Sequence, residues 1–270
     1  MLDGKKIGFI GAGKMGSSII AGILSNGIVD PDSIIASASS KESLERLEKN
    51  FSIRTTPENR EVVNKSDIIF LAVKPQVMKK VLEEISAFVR PEKLLISIAA
   101  GIPTSTYEEF FPPGTKIVRS MPNIAATVQQ SASAVCRGVS ASDDDVSVAI
   151  EILSAVGSAI EVPEKLMDVI TGLAGSGPAF IFPVIEGMAD GAVMEGLDRK
   201  NAIILAAQAV LGAAKLVLDT ELHPGALKDM VTSPGGTTIQ GIHSLEESGV
   251  RAAFINAVKR STDKSRELGN

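Results

Sequence analysis

The 270 residues hold one cysteine, two histidines, one tyrosine and no tryptophan. A single thiol, Cys136, excludes an intrachain disulfide, and with only His223 and His243 beside it no Cys/His zinc site can be assembled. No G-x-S-x-G elbow is present, so serine-hydrolase chemistry has no support. Basic excess is missing as well: 27 Lys and Arg against 32 Asp and Glu leave a net charge of −5. Without a basic block the chain is a poor partner for nucleic acid or an anionic membrane. Nothing reads as a signal peptide, because the apolar run behind Lys5 and Lys6 breaks at once into glycines. The most apolar segment, residues 202–218, contains Gln208 and Lys215 and is expected to fall short of a membrane span. A buried or interface helix and a cytoplasmic location are the expectations.

Hydrophobic residues make up 44% of the chain, enough for a sizeable core, and the length suggests two domains. Apolar runs at 6–10, 33–37, 67–73, 94–98, 116–120 and 132–137 are expected as strands. Helical patterns lie between them, at 15–25 and 76–88 among others. Ser39 with Glu42, and Ser105 with Glu108, have capping-box spacing and should open helices. From Pro163 onward Ala, Gly, Leu, Met and Ile recur at helical spacing, predicting helices over 168–173, 178–195, 200–218, 227–231, 237–247 and 250–268. The expected fold is α/β: a Rossmann-like, mostly parallel sheet over residues 1–161, followed by an all-helical domain over 162–270.

Gly11-Ala12-Gly13-Lys14-Met15-Gly16 is G-x-G-x-x-G, placed between the first strand and the first helix. In that setting it predicts dinucleotide binding: a tight turn at Gly11, backbone approach to a pyrophosphate at Gly13, and close helix–strand packing at Gly16. NAD sites usually place a carboxylate at the end of the second strand. Here that end is Ala36-Ser37-Ala38-Ser39-Ser40-Lys41, and Asp30 and Asp32 precede the strand. Hydroxyls, a helix N-terminus and a lysine, with no carboxylate, favour NADPH over NADH. The plainer alternative is that these serines only cap the next helix.

Ser233-Pro234-Gly235-Gly236-Thr237-Thr238 opens a helix with bare N–H donors and two hydroxyls, which suits a small carboxylate. A Thr-capped interhelical turn would look the same. Gly172, Gly175, Gly177 and Pro178 allow close packing. No histidine, cysteine or lysine is evident as a strong acid or base for alcohol chemistry. Imine reduction needs less help, because a protonated C=N bond already accepts hydride well.

The chain resembles the pyrroline-5-carboxylate reductases over essentially its whole length. The motifs are the glycine loop, Ala72-Val73-Lys74-Pro75, Ala99-Ala100-Gly101, Met121-Pro122-Asn123, Gly175-Ser176-Gly177-Pro178-Ala179 and Leu227-Lys228-Asp229-Met230-Val231-Thr232 leading into Ser233–Thr238. The resemblance implies NAD(P)H-dependent reduction of Δ1-pyrroline-5-carboxylate to L-proline, the last step of proline biosynthesis. It implies cofactor contacts from Gly11, Ala12, Gly13, Lys14, Met15, Ser37, Ser39, Asn59, Ala72, Val73, Lys74, Pro75, Ala99 and Ala100. It implies a substrate carboxylate on Gly236, Thr237 and Thr238, with Glu164, Ser233 and Gly235 nearby and the Thr238 hydroxyl at the imine nitrogen. It also implies that the helical domain forms a homodimer and that dimers assemble into larger rings. The alternatives are a reductase of another cyclic imine, a β-hydroxyacid dehydrogenase-like enzyme, which would want a lysine facing the nicotinamide, and a dinucleotide sensor, which would have no reason to keep Ser233–Thr238.

Overall fold

A computed structural model describes Leu2 and residues 4–269. The chain divides into two compact units, one of residues 1–176 with 261–270 and the other of 177–260. The first is built on an eight-stranded sheet of order β3-β2-β1-β4-β5-β6-β7-β8. Its strands are β1 Ile7–Ile10, β2 Ile34–Ser37, β3 Arg54–Thr56, β4 Ile68–Leu71, β5 Leu94–Ser97, β6 Lys116–Met121, β7 Ser131–Arg137 and β8 Gly157–Glu161. The six strands β3 to β6 in that order are parallel, and β7 turns antiparallel to β6.

Register explains why the strands are apolar on both faces. Ile7 stands opposite Ile34 and Ile68, and Phe9 opposite Ala36 and Phe70. These side chains join one core cluster with Ile19, Ile20 and Ile23 of α1 (Lys14–Ser25) and Ile152 of α6 (Asp143–Ser154). The Phe9 and Phe70 rings stack at 4.8 Å. The alternate residues Ile35, Ile69 and Leu95 join the opposite cluster with Val62 of α3 (Asn59–Lys65), Leu82 of α4 (Pro75–Ile85) and Tyr107 of α5 (Thr104–Glu108). Helices on both faces leave the carboxyl ends of the parallel strands as the open edge for a ligand.

Two strands were not expected. β3 has three residues and only Thr56 is buried, while β8 is largely exposed, so neither carries an apolar signature. Both expected capping boxes are corrected. α2 (Lys41–Phe51) is capped by Ser40, whose hydroxyl accepts from the Ser43 N–H, one residue after Ser39. α5 follows Pro103 with no side-chain cap, and Glu108 accepts the Val139 N–H across the fold. The capping box that does form joins Ser142 and Asp145 at α6.

Asp145 also receives Lys116 Nζ at 2.9 Å, tying the helix start to β6. Burial alone would raise its carboxyl. The Ser142 hydroxyl and N–H, together with Lys116, outweigh that and hold it below the usual carboxylate range. Its folded value therefore lies below its unfolded one, about 3.9, so the stabilisation is present above that pH and is lost as pH falls through the folded value. Asp145→Asn should cost about 1–2 kcal/mol at neutral pH and flatten the acid limb of stability against pH. Urea unfolding across that range checks this, and an acid limb parallel to that of the parent would refute it.

The second unit is helical: α8 (Gly177–Met194), α9 (Arg199–Thr220), α10 (Pro224–Met230), α11 (Thr237–Glu247) and the start of α12 (Val250–Gly269). Ala189, Ala202 and Ala206 are buried where α8 and α9 pack, and small side chains there let the helices approach. Phe182, Met188, Ile204, Leu205, Leu211 and Leu218 are exposed. The expectation that 202–218 falls short of a span is corrected: α9 has 22 residues with a window of mean hydropathy 1.8, and residues 164–194 also pass on length and composition. Apolar helices of this kind need a covering surface.

Candidate functional site

The glycine loop leaves β1 at its carboxyl end. Gly11 has φ +81°, and a Cβ on it would lie 2.5 Å from Val73 Cγ1 and 3.1 Å from the Ala72 carbonyl oxygen. A Cβ on Gly16 would sit 3.1 Å from the Gly11 carbonyl oxygen. Gly13 is the opposite case, with nothing within 4 Å of its added Cβ. It caps α1 without any side-chain bond, and no acidic residue stands in the first turn. The helix start thus has no side-chain cap, room beside Gly13 and the positive end of the helix dipole behind it, which fits a dinucleotide pyrophosphate. Ala72, Val73, Lys74 and Pro75 follow β4, the strand beside β1, and Pro75 starts α4 with Lys74 as its cap. Ala99 and Ala100 follow β5, Ser37 ends β2 with Ser39 two residues beyond, and Asn59 opens α3 just past β3. The structure therefore brings all the sequence-predicted cofactor residues to one edge of the sheet.

At the end of β2 the side chains behave differently from one another. Ser37 is buried, and its hydroxyl donates to Asn59 Oδ1 at 2.7 Å. Asn59 Nδ2 donates to Glu84 Oε2 at 2.9 Å. Ser39 is exposed. Lys41 lies 3.6 Å from Glu45, its neighbour one helical turn on.

Behind Ala99 stands a buried pair that carries no signature in the sequence. Ala99 N–H donates to Ser97 Oγ at 3.2 Å, and that oxygen lies 2.6 Å from the Tyr107 hydroxyl. Burial pushes Tyr107 up to about 12 despite the Ser97 bond, so it stays a neutral hydrogen-bonding group. Glu164, expected near the substrate, accepts from the Thr104 N–H and hydroxyl, both at 2.7 Å, and pairs with Arg119 at 3.3 Å. It holds the start of α5, directly after the Ala99-Ala100-Gly101 turn. Cys136 is buried and its thiol is pushed up to about 12, chiefly by burial, so it is not a ready nucleophile.

Two further motifs meet beside this edge. The segment Thr171–Gly175 is a π-helical turn between α7 (Met167–Ile170) and α8, and Asn123 Nδ2 donates to its Ala174 carbonyl oxygen at 2.9 Å. A Cβ on Gly175 would come within 2.9 Å of Met121 Cε. A cavity of about 380 Å³ lies here, lined by Pro75, Ala100, Gly101, Thr171, Ser176 and Ser261. Its walls thus include the ends of the loops that follow β4 and β5. No cluster of metal-ligating side chains occurs among the described residues.

Ser233, Gly235, Gly236, Thr237 and Thr238 lie in the second unit, at the start of α11. The turn closes with Gly236 N–H donating to the Ser233 carbonyl oxygen at 3.1 Å, and Gly235 takes φ +67°. Gly236 caps the helix with no side-chain bond, and the first turn holds no acidic residue. Its N–H donors have the character of an anion site.

Two family models match: pyrroline-5-carboxylate reductase dimerisation over residues 164–268, and NADP oxidoreductase, coenzyme F420-dependent, over residues 6–101. The chain is 59% identical to a pyrroline-5-carboxylate reductase of Methanosarcina acetivorans, over 99% of each chain. The fold matches a pyrroline-5-carboxylate reductase from Coxiella burnetii with TM-score 0.94 and 36% identity, covering 98% of this chain and 99% of that one. It also matches a Plasmodium falciparum pyrroline carboxylate reductase with NADP bound, at TM-score 0.86 and 32% identity over 99% of each chain.

Proposed function

The chain belongs to the pyrroline-5-carboxylate reductase family, and on that premise we propose that it reduces Δ1-pyrroline-5-carboxylate to L-proline, with NADPH preferred to NADH. The observation that carries the reading is the gathering of the glycine loop, Ala72–Pro75, Asn59 and Ala99-Ala100 at the carboxyl edge of the sheet. Gly11 to Met15 would hold the pyrophosphate, Asn59 and Ser39 the adenosine ribose, and residues 72–75 with Ala99 and Ala100 the nicotinamide half. When bound, the cofactor supplies the hydride that goes to the imine carbon.

The chain's own task is to place the imine and move a proton. The N–H groups of Gly236, Thr237 and Thr238 anchor the substrate carboxylate, and Ser233 and Gly235 shape its surroundings. The Thr238 hydroxyl meets the ring nitrogen, which gains a proton as the carbon gains hydride. The dimerisation match over residues 164–268 and the bare apolar faces of α8 and α9 support a homodimer in which a second copy covers them. The resemblance extends this to rings of dimers, a cytoplasmic setting accords with the biosynthetic role, and the change of residue pattern near 160 supports a division of labour between residues 1–161 and 162–270.

The test follows loss of nicotinamide absorbance with pyrroline-5-carboxylate, with NADPH and NADH in parallel and proline as the assayed product. No turnover, with NADPH bound, would overturn the reading. Gly236→Val should raise the substrate KM about tenfold and leave that for NADPH unchanged, because its side chain would press on Ser233 Oγ and crowd the carboxylate loop. An unmoved substrate KM would put the carboxylate elsewhere.

A further inference from the structure

We infer that Glu84 sets how strongly the site prefers a dinucleotide with a 2′-phosphate to one without, an inference that rests on the cofactor reading above. The argument starts at Asn59, whose amide is held on both sides. Ser37 donates to its Oδ1 at 2.7 Å, and Glu84 Oε2 accepts from its Nδ2 at 2.9 Å. An ionised carboxylate only accepts, so Glu84 fixes which end of the amide is nitrogen. Ser37 is buried and has one proton, already directed at Asn59, so it acts through Asn59 and not as a free donor. What remains for a ligand is the second N–H of Asn59.

That amide stands where an adenosine ribose falls. Ser37 is the last residue of β2 and pairs in register with Thr56, the last of β3, and Asn59 begins the helix that follows. Glu84 is exposed and forms no ion pair with a lysine or arginine among the described residues. The one cation at the end of β2, Lys41, is turned toward Glu45. The carboxylate bonded to Asn59 therefore has no paired cation among the described residues: Arg60, next to Asn59, is paired with Glu58, and Lys80, one turn before Glu84, makes no ion pair with it. The Glu84 carboxylate opposes a 2′-phosphate, which brings one to two further negative charges, and is indifferent to a 2′-hydroxyl. The hydroxyls and the α2 N-terminus favour the phosphate, and Glu84 offsets them, so both cofactors are admitted.

The experiment titrates NADPH and NADH by nicotinamide fluorescence into the full-length protein, its Glu84→Gln variant and its Glu84→Ala variant, with thermal melts of each. Glu84→Gln keeps an acceptor for Asn59 and removes only the charge. It should tighten NADPH about fivefold at low salt, leave NADH within about twofold, and lose much of the gain at high salt. Glu84→Ala also frees the amide, so it should weaken NADH a few-fold while the NADPH-to-NADH affinity ratio still rises. Unchanged affinities in Glu84→Gln, or equal changes for both cofactors, would overturn the inference. Binding is measured without the imine, so failure of pyrroline-dependent turnover would defeat the functional reading and leave this one standing. A parent protein that bound neither dinucleotide would overturn both.

Discussion

Thr238→Ala is expected to lower kcat about a hundredfold while the NADPH dissociation constant stays within about twofold, the size of a lost positioned proton donor. The alanine keeps the backbone N–H groups at the start of α11, so the substrate carboxylate retains its anchor and KM should move little. Only the hydroxyl is removed. Thr238 is the second residue of the helix, after the Gly236 cap, and the hydrogen bonds of the described residues give its hydroxyl no protein partner. A hydroxyl at a helix N-terminus without a capping bond is available to a ligand. Thr238→Ser should recover most of the rate, because the oxygen returns and only a methyl is missing. Steady-state kinetics with saturating NADPH, beside fluorescence titration of the cofactor, separates the effects. Turnover within about threefold of the parent would remove Thr238 from the mechanism.

The contrast between what the sequence displays and what it hides follows the range of the contacts. β1, β2, β4 and β5 are buried on both faces of a parallel sheet, so each is a continuous apolar run that declares itself. β3 and β8 lie at the two sheet edges with little burial, and the period that marks a strand is missing from them. The capping boxes fail on a similar ground. A three-position spacing rule picks Ser39, with Glu42 three residues on, over Ser40, whose partner is the Ser43 N–H, and cannot foresee that Glu108 is drawn to Val139, 31 positions away. At the site, the glycine loop is legible because its chemistry is backbone chemistry, written in adjacent residues. Ser37 is marked by its place at the end of β2 and Asn59 by the family resemblance, but Glu84 and the bonds that join the three are not legible, since 25 and 22 positions separate the bonded pairs. The same holds for Tyr107, which supports Ala99 through Ser97 and looks in sequence like any core aromatic. The largest revision concerns α9. Its apolar stretch looks too short and too interrupted to span, yet the helix that forms is longer than that stretch at both ends.

Paired substitutions in the glycine loop should separate the shape of the free loop from the approach of the cofactor. Gly11→Ala places a Cβ 2.5 Å from Val73 Cγ1 and 3.1 Å from the Ala72 carbonyl oxygen, at φ +81°. The left-handed backbone alone costs about 1–2 kcal/mol for an L-residue. The Val73 side chain must also move, and the Ala72 carbonyl, one residue past the end of β4 and tied by its N–H to Ile10, cannot yield without shifting that backbone. The free loop shifts to relieve part of this strain and NADPH binding must reimpose the parental shape; a cost of about 3 kcal/mol reimposed there corresponds to roughly a hundredfold weaker binding, since every 1.4 kcal/mol is tenfold. The melting temperature should fall in the same variant, because the shifted loop packs less well against Ala72 and Val73 before any ligand arrives. Gly13→Ala differs in physical origin. Gly13 has φ −70° and open space where its Cβ would go, so the free protein accepts alanine with its melting temperature unchanged. If the pyrophosphate lies against Gly13, the added methyl occupies the ligand's place and NADPH weakens by a comparable factor. Melts and fluorescence titrations on both variants decide it: a Gly13→Ala protein that binds NADPH like the parent would show that the phosphates do not use the N-terminus of α1.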